Sequence, residues 1–217
     1  MPKKLYYDTV SPLLLSTLRS LMASDVFQLF RLVGGIALSL QLGHRKSVDI
    51  DLFTDLAYDT VDFGSINKYI RANFSYADTI NSDIIGFGKS YFIGDSKEQS
   101  IKLDVFYTAP FIRESLNLDE IRLAHIDDIV AMKIDVVSRS GRKKDFWDLH
   151  ELLEYYSIDQ MLKLHKERYP YAHNEKDILS NFSNFEQADT DFDPICLKGK
   201  YWEIIKLDIL EALEKKN

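Results

Sequence analysis

Asp49 and Asp51, in the run Ser47-Val-Asp-Ile-Asp-Leu-Phe53, are the residues best placed by type and spacing to do chemistry. The run alternates as a strand does, so Val48, Ile50 and Leu52 face one way and both carboxylates the other. Two neighbouring acids on one face repel each other unless cations lie between them. Paired hard oxygen donors suit magnesium or manganese, which can be shared with a substrate's phosphates. The alternative is a solvent-facing strand edge that carries acids for solubility. A third acid favours the metal reading. In Ser100-Ile-Lys-Leu-Asp-Val-Phe106, the residues Ile101, Leu103 and Val105 form one face and Asp104 lies on the other. If the two strands pair, Asp49, Asp51 and Asp104 share one surface, the arrangement that two-metal phosphoryl or nucleotidyl transfer requires.

Gly34-Gly35 stands between a short β-leaning run, Phe27 to Val33, and a helix predicted over Ile36 to Leu42 and closed by Gly43. Glycines there let the backbone approach a phosphate, and the free N–H groups at a helix start favour anions. Further along, a helix is predicted over Ile126 to Ser138, and Lys133 interrupts its apolar stripe of Ile126, Ile129 and Val136. Such a lysine either snorkels to the edge or meets an anion, and a nucleotide phosphate would suit it. In the next helix, Lys144 to Tyr156, the core stripe is Phe146, Leu149, Leu152, Leu153 and Tyr156. Asp145 and Asp148 share another flank, where Lys144 can pair with Asp148 at i,i+4.

These residues need elements to hold them. An amphipathic helix is predicted from Pro12 to Met22, and another over Asp62 to Phe74. Strands are predicted at Val48 to Phe53, Tyr76 to Ile80, Ile84 to Phe87, Tyr91 to Ile93 and Ile101 to Tyr107. From Ile126 the pattern turns helical, with further helices over Ile158 to Glu167, Glu175 to Phe182 and Tyr201 to Lys215, and a long loop over Asn181 to Pro194. The change of pattern near residues 108 to 125 divides the chain into an α/β core, residues 1–110, and a helical part, residues 120–217, that contributes to the cleft.

The 217 residues, 46% of them hydrophobic and 12% aromatic, suffice for a self-sufficient core and exclude collagen-like and largely disordered classes. A net charge of −7 excludes a uniformly basic nucleic-acid binder. Basic residues nevertheless gather as Arg139, Arg142, Lys143 and Lys144, and as His44, Arg45 and Lys46, a candidate positive surface for a polyanion. Lys163, His165, Lys166 and Arg168 read as a solvated helix face, and His125 as a residue closing a loop before its helix. The single Cys196 permits neither an internal disulfide nor a zinc cluster. No run approaches the roughly 18 apolar residues of a membrane span, so the expected location is the cytoplasm, with no membrane partner.

Two blocks, Val33-Gly-Gly-Ile-Ala-Leu-Ser-Leu-Gln-Leu-Gly-His-Arg-Lys-Ser-Val-Asp-Ile-Asp-Leu-Phe53 and Met132-Lys133 through Arg139 to Lys143-Lys-Asp-Phe-Trp-Asp-Leu-His-Glu-Leu-Leu153, resemble the AbiEii/AbiGii abortive-infection toxin family. That family is a branch of the polymerase-β-like nucleotidyltransferases, and the resemblance covers most of residues 25 to 155. It implies an α/β (α+β) fold, a mixed sheet with flanking helices and a helical C-terminal part. It also implies a nucleoside triphosphate substrate and Mg2+ or Mn2+ held by Asp49, Asp51 and Asp104. Gly34, Gly35, Lys133 and Lys144 would bind the nucleotide, and Asp148 would act in catalysis or support Lys133. The acceptor would be tRNA, and the role that of a toxin with a cognate antitoxin. One position departs from the pattern: Ile36 follows the glycines where the family often carries threonine and the wider superfamily pairs glycine with serine. That departure keeps open a catalytically silent nucleotide-binding partner, and the net acidity keeps open a small-molecule or protein acceptor.

Overall fold

The computed structural model describes residues 4–79 and 86–216. Helix α1, Pro12–Ala23, begins where Ser11 accepts the N–H of Leu14 and Pro12 presets the first turn. Strand β1, Arg31–Leu32, leads into α2, Gly34–Leu42, and then β2, Ile50–Thr54. Helix α3, Phe63–Asn73, is capped by Asp62 and followed by β3, Tyr76–Thr79, β4, Gly88–Gly94, and β5, Ser100–Tyr107. Two short strands, β6, Leu116–Leu118, and β7, Ile121–Leu123, precede the helices α4, Ile126–Val137, and α5, Lys143–Leu152. Helices α6, Ile158–Arg168, α7, Glu175–Phe182, α8, Glu186–Asp189, and α9, Trp202–Lys216, complete the chain.

Among the described residues the strands form one seven-stranded mixed sheet in the order β3-β4-β5-β2-β1-β7-β6. β2 runs parallel to β5 and β1 parallel to β7, while the other neighbours are antiparallel. Ile50, Leu52, Leu103 and Val105 are fully buried on one face of the central strands, as the two-residue period requires. α2 is apolar all round because it is enclosed: every residue from Ile36 to Leu42 is buried. Gly43 ends it in the left-handed conformation, φ 68°.

Several expectations change. Of the run Phe27 to Val33 only Arg31–Leu32 pairs; Asp25–Phe27 coils as a 3-10 turn and drops Phe27 into the core. Ile84, Ile85 and Ile80 lie outside the described residues, and Gly86-Phe87 form a bend rather than a strand. The stretch between Ala109 and His125, expected to be a connection, contributes β6 and β7 to the sheet. The predicted loop Asn181 to Pro194 contains α8, anchored by the buried Ala188. The basic residues of α6 divide: Lys163 and Lys166 are exposed as expected, but His165 is buried, and so is Arg168, which pairs with the equally buried Asp128 at 2.7 Å. Arg168 also donates to the carbonyls of Ala109 and Pro110, pinning the segment after β5 onto α6. His125 caps α4 as expected, accepting the N–H of Asp127 on Nδ1. Among the described residues no helix is long and apolar enough to cross a membrane.

Candidate active site

Strand register builds the site. Asp51 on β2 lies directly beside Asp104 on β5, and Asp104 directly beside Ser90 on β4, all pointing away from the buried face. Regular pairing starts at Ile50 and Val48 is exposed, so Asp49 reaches the same region from the approach to β2 rather than from inside the strand. Withdrawal from water, followed by the charges of Asp104 and Asp49, pushes Asp51 up to about 6.

The glycine turn lies against that carboxylate. Gly34 has φ 69°, and a Cβ on it would stand 2.1 Å from Asp51 Oδ2, so both conformation and space demand glycine. No side chain caps the start of α2, whose N-cap residue is Val33. A Cβ on Gly35 would meet Arg45 Nη2 at 2.4 Å. Ile36 is fully buried, as is Ser39, whose hydroxyl has no partner. Ser47, which the sequence pattern placed in a polar turn, lines the cleft. The cleft, about 210 Å3, has a polar side of Gly34, Gly35, Asp49 and Asp51 and an apolar side of Phe53, Ile129, Met132 and Val136.

A second acidic group lies deeper. Asp148 is fully buried and receives Arg45 through two bonds, Nε to Oδ1 at 2.6 Å and Nη2 to Oδ2 at 2.8 Å. His44 Nε2 lies 2.7 Å from Oδ1 and Lys133 Nζ 2.6 Å from Oδ2. Burial pushes the Asp148 carboxyl up, but Arg45, Lys133 and the hydrogen bonds from His44 and Arg45 outweigh it and hold the group well below the carboxylate range. Lys133 bonds Asp145 as well, at 2.7 Å. Asp148 therefore does not face the cleft; it fixes Arg45 and Lys133, which do.

The expected pair between Lys144 and Asp148 does not form, because tertiary partners have taken Asp148. Lys144 points instead to Asp49, 3.8 Å away. The expected positive surface is largely consumed: Arg139 pairs with Asp135, Arg142 with Asp191, Lys143 with Asp193, and His44 and Arg45 with Asp148. A larger cavity, about 850 Å3, lies between α5, α6 and α9, remote from these residues, and its own charges are paired, His150 with Asp208 and Lys200 with Glu154.

Among the described residues no three acidic, histidine or cysteine side chains converge closely enough to hold an ion. Asp104 is engaged on both oxygens: Ser90 donates to its Oδ1 at 2.6 Å and Lys102 to its Oδ2 at 2.5 Å. Asp49 and Asp51 do fit a hard cation: they are paired oxygen donors on the wall of the cleft.

A mixed sheet that sets carboxylates side by side beneath a glycine turn is the frame of the polymerase-β-like nucleotidyltransferases. Within that class the chain belongs to the AbiEii family, described as nucleotidyl transferase AbiEii toxin of a type IV toxin–antitoxin system, which matches residues 16–215. A Helicobacter pylori structure provisionally described as a nucleotidyltransferase superposes with TM-score 0.60 at 19% identity, over 94% of this chain and 91% of that one. MenT4, a nucleotidyltransferase toxin from Mycobacterium tuberculosis, superposes with TM-score 0.54 at 14% identity, over 90% and 83%. An uncharacterized protein of Aquifex aeolicus is 30% identical over 152 residues, 64% of this chain; the match spans 66% of that relative, just under two thirds of its length.

Proposed function

We propose that the protein transfers a nucleoside monophosphate from a nucleoside triphosphate to an acceptor hydroxyl. The observation that carries this reading is the register of Asp51 with Asp104 under Gly34. Asp49, Asp51 and Asp104 are the residues for a divalent cation, Mg2+ or Mn2+. When bound, such an ion neutralises phosphate charge as the attacking and leaving oxygens exchange. Gly34 and Gly35 offer the uncapped amides of α2 to the phosphates, and Lys144, next to Asp49, supplies a mobile positive charge. Lys133 faces the cleft from α4, held by Asp145 and Asp148, so that Asp148 is a positioning residue. Phe53, Ile129 and Met132 give the cleft an apolar wall opposite the carboxylates.

Membership of a toxin family supports tRNA as the acceptor to test first, action in the cytoplasm and a cognate antitoxin as partner. A small-molecule or protein hydroxyl is the second reading, favoured by the consumption of the basic cluster in ion pairs. The test is transfer of label from each α-labelled nucleoside triphosphate, with Mg2+, to total tRNA, protein or small-molecule hydroxyls. Transfer that disappears on chelation and in the Asp49→Asn, Asp51→Asn double variant supports the reading. Absence of transfer to every acceptor, or its survival in the double variant, refutes it.

A further inference from the structure

We propose that Lys102 is a positioning residue acting through Asp104, a built-in counter-ion that withholds the third carboxylate from the Asp49–Asp51 pair until a triphosphate offers it another anion. This rests on the metal-dependent reading above and adds to it an order of loading.

Lys102 precedes Asp104 by two residues, so both project from the same face of β5. Its Nζ lies 2.5 Å from Asp104 Oδ2, while the hydroxyl of Ser90 donates to Oδ1 from the neighbouring strand. Register alone would bring Asp104 into one group with Asp51, yet no closed group of three exists among the described residues. Both oxygens of Asp104 are instead taken by Lys102 and Ser90.

The Lys102 side chain is 35% exposed, on an unbranched stem, and can swing away without disturbing the core. In the free protein it competes for Asp104 with any divalent cation. With a triphosphate in the cleft it exchanges Asp104 for phosphate oxygens, and the carboxylate turns toward Asp51. Metal and nucleotide then bind cooperatively, because each removes a charge conflict that the other meets.

Titration calorimetry of the whole chain with Mn2+, alone and with non-transferable α,β-methylene nucleoside triphosphates, tests this on wild type, Lys102→Met and Lys102→Arg, with circular dichroism to verify folding. The expected result is that Lys102→Met binds Mn2+ alone at least about tenfold tighter than wild type, and that nucleotide sharpens Mn2+ binding less in this variant than in wild type. Lys102→Arg, which keeps the charge, should behave as wild type. Equal or weaker Mn2+ binding by Lys102→Met, with wild type still binding Mn2+ in the presence of nucleotide, overturns the proposal alone. No Mn2+ binding by any of the proteins, with or without nucleotide, overturns the metal-dependent reading and this proposal with it.

Discussion

Two acidic groups, one on the wall of the cleft and one reaching behind it, are treated in opposite ways. Asp145 and Asp148 on α5 are matched with Lys133, Arg45 and His44, and the deeper carboxylate is held well below its ordinary range. Asp49 and Asp51 at β2 face each other's charge, with Lys144 only at 3.8 Å, and Asp51 is pushed up to about 6. Both groups are aspartates flanked by lysine and arginine in the sequence, so composition does not separate them. Charge balance does. The balanced group is complete without a ligand and acts as scaffold; the unbalanced group gains most when cations arrive.

The contrast can be broken from either side. The largest effect is expected from Asp49→Asn or Asp51→Asn, which should cut transfer by about three orders of magnitude. The Asp51→Asn protein should hold or raise its melting temperature at neutral pH, because the substitution removes a repelled charge. Asp148→Ala should do the reverse, leaving Arg45 and Lys133 buried without their partner and costing about 3–5 kcal/mol in denaturant unfolding. An Asp148→Ala protein as stable as wild type would refute the scaffold assignment.

Titration sharpens the same contrast. A carboxyl raised on folding binds its proton more tightly in the native state, so metal-free stability should fall as pH rises from about 4 to about 6, by about 3 kcal/mol. That slope should vanish in Asp51→Asn. Asp148 is depressed on folding, so its contribution is present above the unfolded carboxylate range and is lost only as pH falls below it. Chemical unfolding followed across pH in both variants separates the two slopes. The smallest effect is expected from Lys144→Met, an exposed point charge, which should raise the nucleotide KM about tenfold with little change in stability. An unchanged KM would remove Lys144 from phosphate binding.

Much of this was legible before any coordinates. Period-two alternation placed Asp51 and Asp104 on one face, and two glycines ahead of an all-apolar helix marked the turn at Gly34, because both signals are local. What stayed hidden is long-range. Lys144 is the nearest cation to Asp148 along the helix, but His44 and Arg45, more than a hundred residues earlier, take the carboxylate through tighter geometry. In the same way Arg168 reads as a surface charge until Asp128 is seen beside it. β6 and β7 have three residues each, too few to show a period. Val48 was misread because alternation in sequence continues past the point where pairing stops.

The bond from Arg45 to Asp148 has a consequence for synthesis. A ribosome completes the glycine turn, the paired aspartates and β5 well before it reaches α5, so a nascent chain carries the reactive carboxylates without the anchor that seats Arg45 beneath Gly35. The site cannot assemble until the helical half has emerged and docked. In this fold, then, the cleft is completed by the last-made half of the chain, which carries the partner that Arg45 needs.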